Sequence, residues 1–302
     1  MITVEGLTKT YGRFVAVDDV TFTCRPGRVT GFLGPNGAGK STTMRIMVGL
    51  TPATRGQVRI GGHRYTDLPN PGRHVGVLLD ASAQHAGRTG REVLTIGTET
   101  LGLPRRRVDE MLELVSLSPA EAKRRVRNYS LGMRQRLGIA HALLGDPSIL
   151  VLDEPANGLD PAGKNHVHGV LNRLAADGAT VVLSSHRMDD VEALCAEVTI
   201  LATGRIVFTG PLGKLSAENG ELDYRLRTSD PVAARGLVAE APGIRLTDTG
   251  DDAFVLRALV PALDDLVLRL AKDGIAVREL APVVSPLEAA FLALTEQQEA
   301  AR

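Results

Sequence analysis

Residues Gly34-Pro35-Asn36-Gly37-Ala38-Gly39-Lys40-Ser41 fit the pattern GxxxxGK[ST] in full, between a β-type run, Val29 to Leu33, and a helical pattern, Lys40 to Val48. This junction commits the chain to a strand, a tight glycine turn and a helix in succession. The glycines let successive backbone N–H groups curl around phosphate oxygens, and the helix N-terminus adds partial positive charge. Lys40 then reaches the β and γ phosphates of a nucleotide, Ser41 holds Mg²⁺, and Thr42 continues the helix start. A second run, Gly158 to Lys164, approaches the same pattern, but Asn165 stands where the hydroxyl belongs. The expected phosphate-binding residues are therefore Gly34, Asn36, Gly37, Gly39, Lys40, Ser41 and Thr42.

Up to Gly210 short β-rich runs alternate with helical patterns: Ile149 to Leu152 then Ala162 to Ala175, and Thr180 to Ser184 then Met188 to Cys195. This alternation predicts an α/β domain around a parallel sheet. Asp160 is placed to cap a helix that Pro161 begins and Gly178 ends. Between a strand at Val75 to Leu79 and the run at Ile149, residues of about 81 to 145 are mostly helical in pattern. Arg105 to Leu117 is the clearest amphipathic piece, and the stretch reads as a helical insertion. The run Ser148 to Leu152 ends in Asp153-Glu154-Pro155, a buried strand delivering two carboxylates where α/β sheets bind ligands. One acid orients Mg²⁺ or its waters, and the next takes a proton from the water attacking the γ-phosphate.

After Gly210 the pattern becomes strand, helix, strand, strand, helix, strand between Tyr224 and Leu280, the order of a small ferredoxin-like α+β unit, with a final helix from Pro286 to about Gln298. The expected domains are 1–215 and 216–302. Lys plus Arg (35) balances Asp plus Glu (35), so no global basic field draws the chain to nucleic acid or an anionic membrane. No apolar run approaches the roughly 18 residues of a membrane helix. The two cysteines, Cys24 and Cys195, make no framework, and Met-Ile-Thr-Val-Glu is no signal peptide, so the compartment reads as cytoplasmic. His166 and His168 face different sides of a helix and suggest no metal cage.

Tyr129-Ser130-Leu131-Gly132-Met133-Arg134-Gln135 looks like the signature motif of one ATPase family, and with it the chain resembles the ATP-binding subunits of ABC transporters from about Ile2 to Gly210. The resemblance implies a homodimer that sandwiches two MgATP, with Ser130 and Gly132 binding the γ-phosphate of ATP held by the other subunit. Leu131 and Met133 depart from the commonest Ser-Gly-Gly-Gln form. It implies further that Tyr11 stacks on adenine, that Gly158-Leu159-Asp160 is the dimer-crossing loop, and that His186 senses the γ-phosphate. Asp153 would orient Mg²⁺ and Glu154 act as base. Where the family usually places a glutamine touching Mg²⁺, this chain has Asp80, with Gln84 four residues later. Either Asp80 substitutes through a metal or water contact, or Gln84 does the task.

Ser285 to Thr295 looks like the closing helix of ATPases paired with six-helix permeases, daunorubicin-type drug exporters among them, although the spacing fits a helix covering a small sheet equally well. The expected activity is ATP hydrolysis that powers a separate membrane permease from the inner face of the cell membrane, for export of a drug, antibiotic or lipid-like molecule. Alternatives are a soluble ABC ATPase acting on ribosomes or DNA, which usually joins two ATPase units or inserts coiled coils, and an importer subunit. No nucleic-acid partner is expected. Arg105-Arg106-Arg107 and Arg124-Arg125 lie in the helical insertion, which the resemblance implies meets the permease, although a solvated face is the reading favoured for either.

Overall fold

Alternating apolar and polar residues form the first two strands, β1 (Ile2–Tyr11) and β2 (Phe14–Cys24), with Ile2, Val4, Leu7, Val20 and Phe22 turned into the core. The computed structural model describes residues 1–217, 221–249 and 253–300. Next come β3 (Arg28–Leu33), α1 (Lys40–Met47) and β4 (Arg55–Ile60). The strand order β2-β1-β4 makes an antiparallel three-stranded layer. The alternation of strand and helix in the sequence does not announce this layer, because β1 pairs β4 across the phosphate loop and α1.

The expected helical insertion follows β5 (Val75–Leu78): α2 (Gly90–Leu101), α3 (Arg106–Leu114), α4 (Pro119–Ala122) and α5 (Leu131–Leu143). Capping boxes start two of these helices, pairing Thr89 with Glu92 and Ser118 with Glu121. Val93, Leu94, Val108, Met111, Leu112 and Leu137 are buried within the insertion. The chain then enters β6 (Ile149–Asp153), α6 (Pro161–Ala176), β7 (Thr180–Ser184), α7 (Met188–Leu194), β8 (Glu197–Ala202) and β9 (Arg205–Pro211), followed by α8 (Leu212–Ala217). As expected, Asp160 caps α6, its Oδ1 accepting from Gly163 N at 3.0 Å, and Pro161 opens the helix.

The six-stranded sheet has the order β5-β6-β7-β3-β8-β9 and is parallel except for β9. β6 and β7 are apolar and almost wholly buried, as a sheet covered on both faces requires. Register fixes the site: Phe32 and Asp153 both lie opposite Ser184, and Leu78 lies opposite Leu152. The loops after β3, β5, β6 and β7 therefore leave from one edge of the sheet.

The chain divides into two compact units, Met1–Leu212 with the residues from Thr295 on, and Gly213–Leu294. The second contains β10 (Leu222–Thr228), α9 (Pro231–Ala239), β11 (Ile244–Thr249), β12 (Phe254–Ala258), α10 (Val260–Lys272) and β13 (Val277–Pro282). Its antiparallel order β11-β12-β10-β13 is the ferredoxin-like arrangement. Leu226, Phe254 and Leu256 of the sheet bury against Val238, Leu263, Leu266 and Leu270 of the two helices. The last helix is α11 (Pro286–Ala300). Among the described residues no helix is long and apolar enough to cross a membrane.

Candidate nucleotide site

The loop after β3 is glycine-bound by space as well as by backbone angle. Gly34 and Gly39 have φ of +151° and +103°, and a Cβ would stand 2.3 Å from the Leu201 carbonyl oxygen at the first and 2.5 Å from that of Ala16 at the second. Asn36 and Gly37 are exposed at the tip. Helix α1 has no side-chain cap and no acid in its first turn, so its leading N–H groups are open to an anion. The Lys40 side chain is buried, its Nζ donating to the carbonyls of Gly34 at 2.6 Å and Pro35 at 3.1 Å. Burial holds its pKa below the ordinary lysine range, and the charges of Glu154 and Asp153 pull it back upward. A buried cation above an uncapped helix fits a polyanion such as a triphosphate.

At the end of β6, Asp153 takes a hydrogen bond on each oxygen. Ser41 Oγ donates to Oδ2 at 2.8 Å, and Ser184 Oγ donates to Oδ1. Ser184 Oγ also accepts from Glu154 N at 3.0 Å. Glu154 has φ +51°, a left-handed conformation that costs a non-glycine residue roughly 1–2 kcal/mol. Its carbonyl accepts from Gln135 Nε2 at 2.8 Å and from Asn157 N at 3.1 Å. Its carboxylate Oε2 lies 2.8 Å from His186 Nδ1. Ser41, Asp153, Ser184, Glu154, Gln135 and His186 thus form one bonded cluster, and the charge of its two carboxylates acts on Lys40.

Ser41 and Asp153 supply hard oxygen donors of the kind Mg²⁺ takes, with phosphate and water oxygens left to complete the shell. No group of three or more His, Cys, Asp or Glu suited to a metal ion occurs among the described residues. The two oxygen donors of Ser41 and Asp153 fit a cation whose shell a nucleotide completes.

The other expected residues have partners of their own. Tyr11 is half exposed, paired across its hairpin with Phe14, and Lys9 Nζ stands 4.9 Å from its ring centroid. The same β2 strand touches Gly39 through Ala16. Asp80 lies two residues past the end of β5, whose last residue, Leu78, lies opposite Leu152 of β6. Its Oδ1 accepts from Ser82 Oγ at 2.6 Å and Ser82 N at 2.7 Å, bonds that hold its pKa below the usual carboxylate range. Ser130 caps α5 by accepting from Met133 N at 3.2 Å, and a Cβ on Gly132 would stand 2.8 Å from the Gly158 carbonyl oxygen. Among the described residues, no hydrogen bond joins Tyr11, Asp80 or Asp160 to the cluster.

Two cluster members escaped sequence reasoning. In the sequence Ser184 is the last residue of the run Thr180 to Ser184, and only strand register sets it beside Asp153. Gln135 stands inside the signature run, but nothing local says that it reaches across the insertion to Glu154.

An uncapped phosphate loop on a central parallel strand, a strand-end Asp-Glu pair and a histidine on the glutamate define a phosphate-loop nucleoside triphosphatase. Residues 17–157 match the ABC transporter family. An uncharacterized ABC transporter ATP-binding protein of Bacillus subtilis (strain 168), YhcH, is 33% identical, the match covering 98% of this chain and 96% of that protein. The daunorubicin/doxorubicin resistance ATP-binding protein DrrA of Streptomyces peucetius is 32% identical over 97% of this chain and 92% of its own. Among solved structures, the dimeric post-hydrolysis ATP-binding cassette MJ0796, bound to ADP and Pi, superimposes with a TM-score of 0.62 at 26% identity, over 70% of this chain and 98% of that one. The chain belongs to the ATP-binding, ATP-hydrolysing subunits of ABC transporters.

Proposed function

We propose that this chain hydrolyses MgATP as a homodimer and thereby drives a separate membrane permease that exports a drug, antibiotic or lipid-like molecule. The observation that carries the hydrolytic reading is the placing of the Ser41–Asp153 and Glu154–His186 pairs, each at 2.8 Å, on the sheet edge where Lys40 is buried. The resistance protein DrrA, similar over nearly the whole chain, supports export, and the dimeric solved cassette supports the dimer.

In this reading Lys40 exchanges its loop carbonyls for the β and γ phosphates, while the N–H groups of Asn36, Gly37, Gly39 and Thr42 line the phosphate path. Ser41 and Asp153 would hold Mg²⁺, whose contribution is to neutralise charge on the phosphate oxygens. Glu154 takes the proton of the attacking water, and His186 fixes that carboxylate while sensing the γ-phosphate. Tyr11 stacks on adenine. Across the dimer, Ser130, Gly132 and Asp160 of one copy face the nucleotide of the other. Residues 216–302 are an accessory domain on this reading, and the permease brings the chain to the inner membrane face.

Asp80 is assigned a contact with the metal or its water. Asp80→Gln is expected to keep ATPase turnover within about tenfold of wild type while shifting its Mg²⁺ dependence, and Asp80→Ala to be slower. Wild-type rates and metal dependence in both variants would move the role elsewhere, with Gln84 next in line.

The whole proposal is tested by expressing the chain with and without the membrane protein encoded in the neighbouring reading frame. The expected result is a six-helix partner that retains the chain on membranes and raises its ATPase rate. A chain that stays off membranes in the presence of such a permease contradicts it.

A further inference from the structure

Gln135 is 3% exposed, within the second turn of α5, and its Nε2 reaches out of the helical insertion to the Glu154 carbonyl at 2.8 Å. A buried amide is costly unless bonded, so a position needing only volume favours leucine or methionine. Its target is unusual as well. Glu154 has φ +51°, where non-glycine residues are disfavoured, and its N–H is held separately by Ser184 Oγ at 3.0 Å. The peptide of one strained residue is thus clamped from two elements, β7 on one side and α5 on the other.

We propose that Gln135 is a positioning residue for hydrolysis: through its bond to the Glu154 carbonyl, helix α5 sets where the Glu154 carboxylate points. The inference rests on the reading of Glu154 as the base. Helix α5 begins at Leu131, directly after Ser130, so a nucleotide seated against that helix start shifts the helix and, with it, the Glu154 peptide of the same chain. Occupancy at the start of α5 is then reported about one turn along the helix, through Gln135, to the base of the same chain.

The test uses the full chain with Gln135→Met and Gln135→Leu, which keep bulk and remove the donor. ATP affinity is expected within about threefold of wild type, while kcat falls roughly 10- to 100-fold, the scale of a misplaced catalytic group. Amide hydrogen exchange at residues 156–158 is expected to rise at least tenfold. In a Glu154→Gln background the same substitutions are expected to leave the residual rate unchanged. A kcat within twofold of wild type overturns the proposal, as does an equal fold-loss in the Glu154→Gln background. Two variants are used so that a folding defect in one leaves the other to decide. Should exchange rise as expected while Glu154→Gln alone hydrolyses ATP at the wild-type rate, the assignment of the base fails and the clamp on the Glu154 peptide stands.

Discussion

Lys40→Ala is expected to reduce ATP hydrolysis to background, a loss of at least roughly 10³-fold for removing a charged donor aimed at the reacting phosphate, and to weaken ATP binding. The physical reason is that Lys40 is the loop's only cation and is already desolvated: it is buried, its pKa is held down by that burial, and its present partners are two neutral carbonyls. No other basic side chain occurs between Gly34 and Thr42. Arginine is no substitute, because its planar fork does not fit where a compact ammonium bonds two carbonyls of one tight turn. Steady-state phosphate release and equilibrium binding of ATP measure the two effects separately. Unchanged turnover would remove Lys40 from the phosphate site.

Glu154→Gln is expected to keep ATP binding and slow hydrolysis by about 10²- to 10⁴-fold, the usual worth of a positioned general base. The substitution is unusually clean here. The bonds that hold residue 154 from Gln135, Asn157 and Ser184 all go to its peptide group, not its side chain. The amide oxygen of glutamine still accepts from His186, so the geometry survives and only the proton acceptor is lost. Single-turnover phosphate release, with ATP in place and no second binding event, reads the chemical step directly.

The parts of this site that are contiguous in the chain were legible from the sequence. The phosphate loop and the Asp153-Glu154 pair announce themselves because eight residues in one case, and a buried strand ending in two acids in the other, dictate their own local geometry. The βαββαβ order of the second unit was equally readable, since each element carries its own period, and the order of elements restricts the sheet to few arrangements. What stayed hidden depends on distant residues meeting. Ser184 acquires its place from the β6–β7 register. Gln135 acquires its partner only once α5 folds back on the sheet edge, 19 residues away in sequence. The N-terminal layer was missed for another reason, because β1 and β4 pair across the phosphate loop and its helix, and no local period reports such a pairing. Asp80 shows the converse. Its departure from the family glutamine was visible at once, but its engagement with Ser82 was not.

The central claim is that Glu154 activates water at a site that a second copy of the chain completes. Size-exclusion chromatography with light scattering on Glu154→Gln, with and without MgATP, tests it most directly. A variant that binds ATP without consuming it is predicted to run as a dimer with MgATP and as a monomer without nucleotide or with Mg²⁺ removed by chelation. A variant that binds ATP at saturation and remains monomeric would contradict the account.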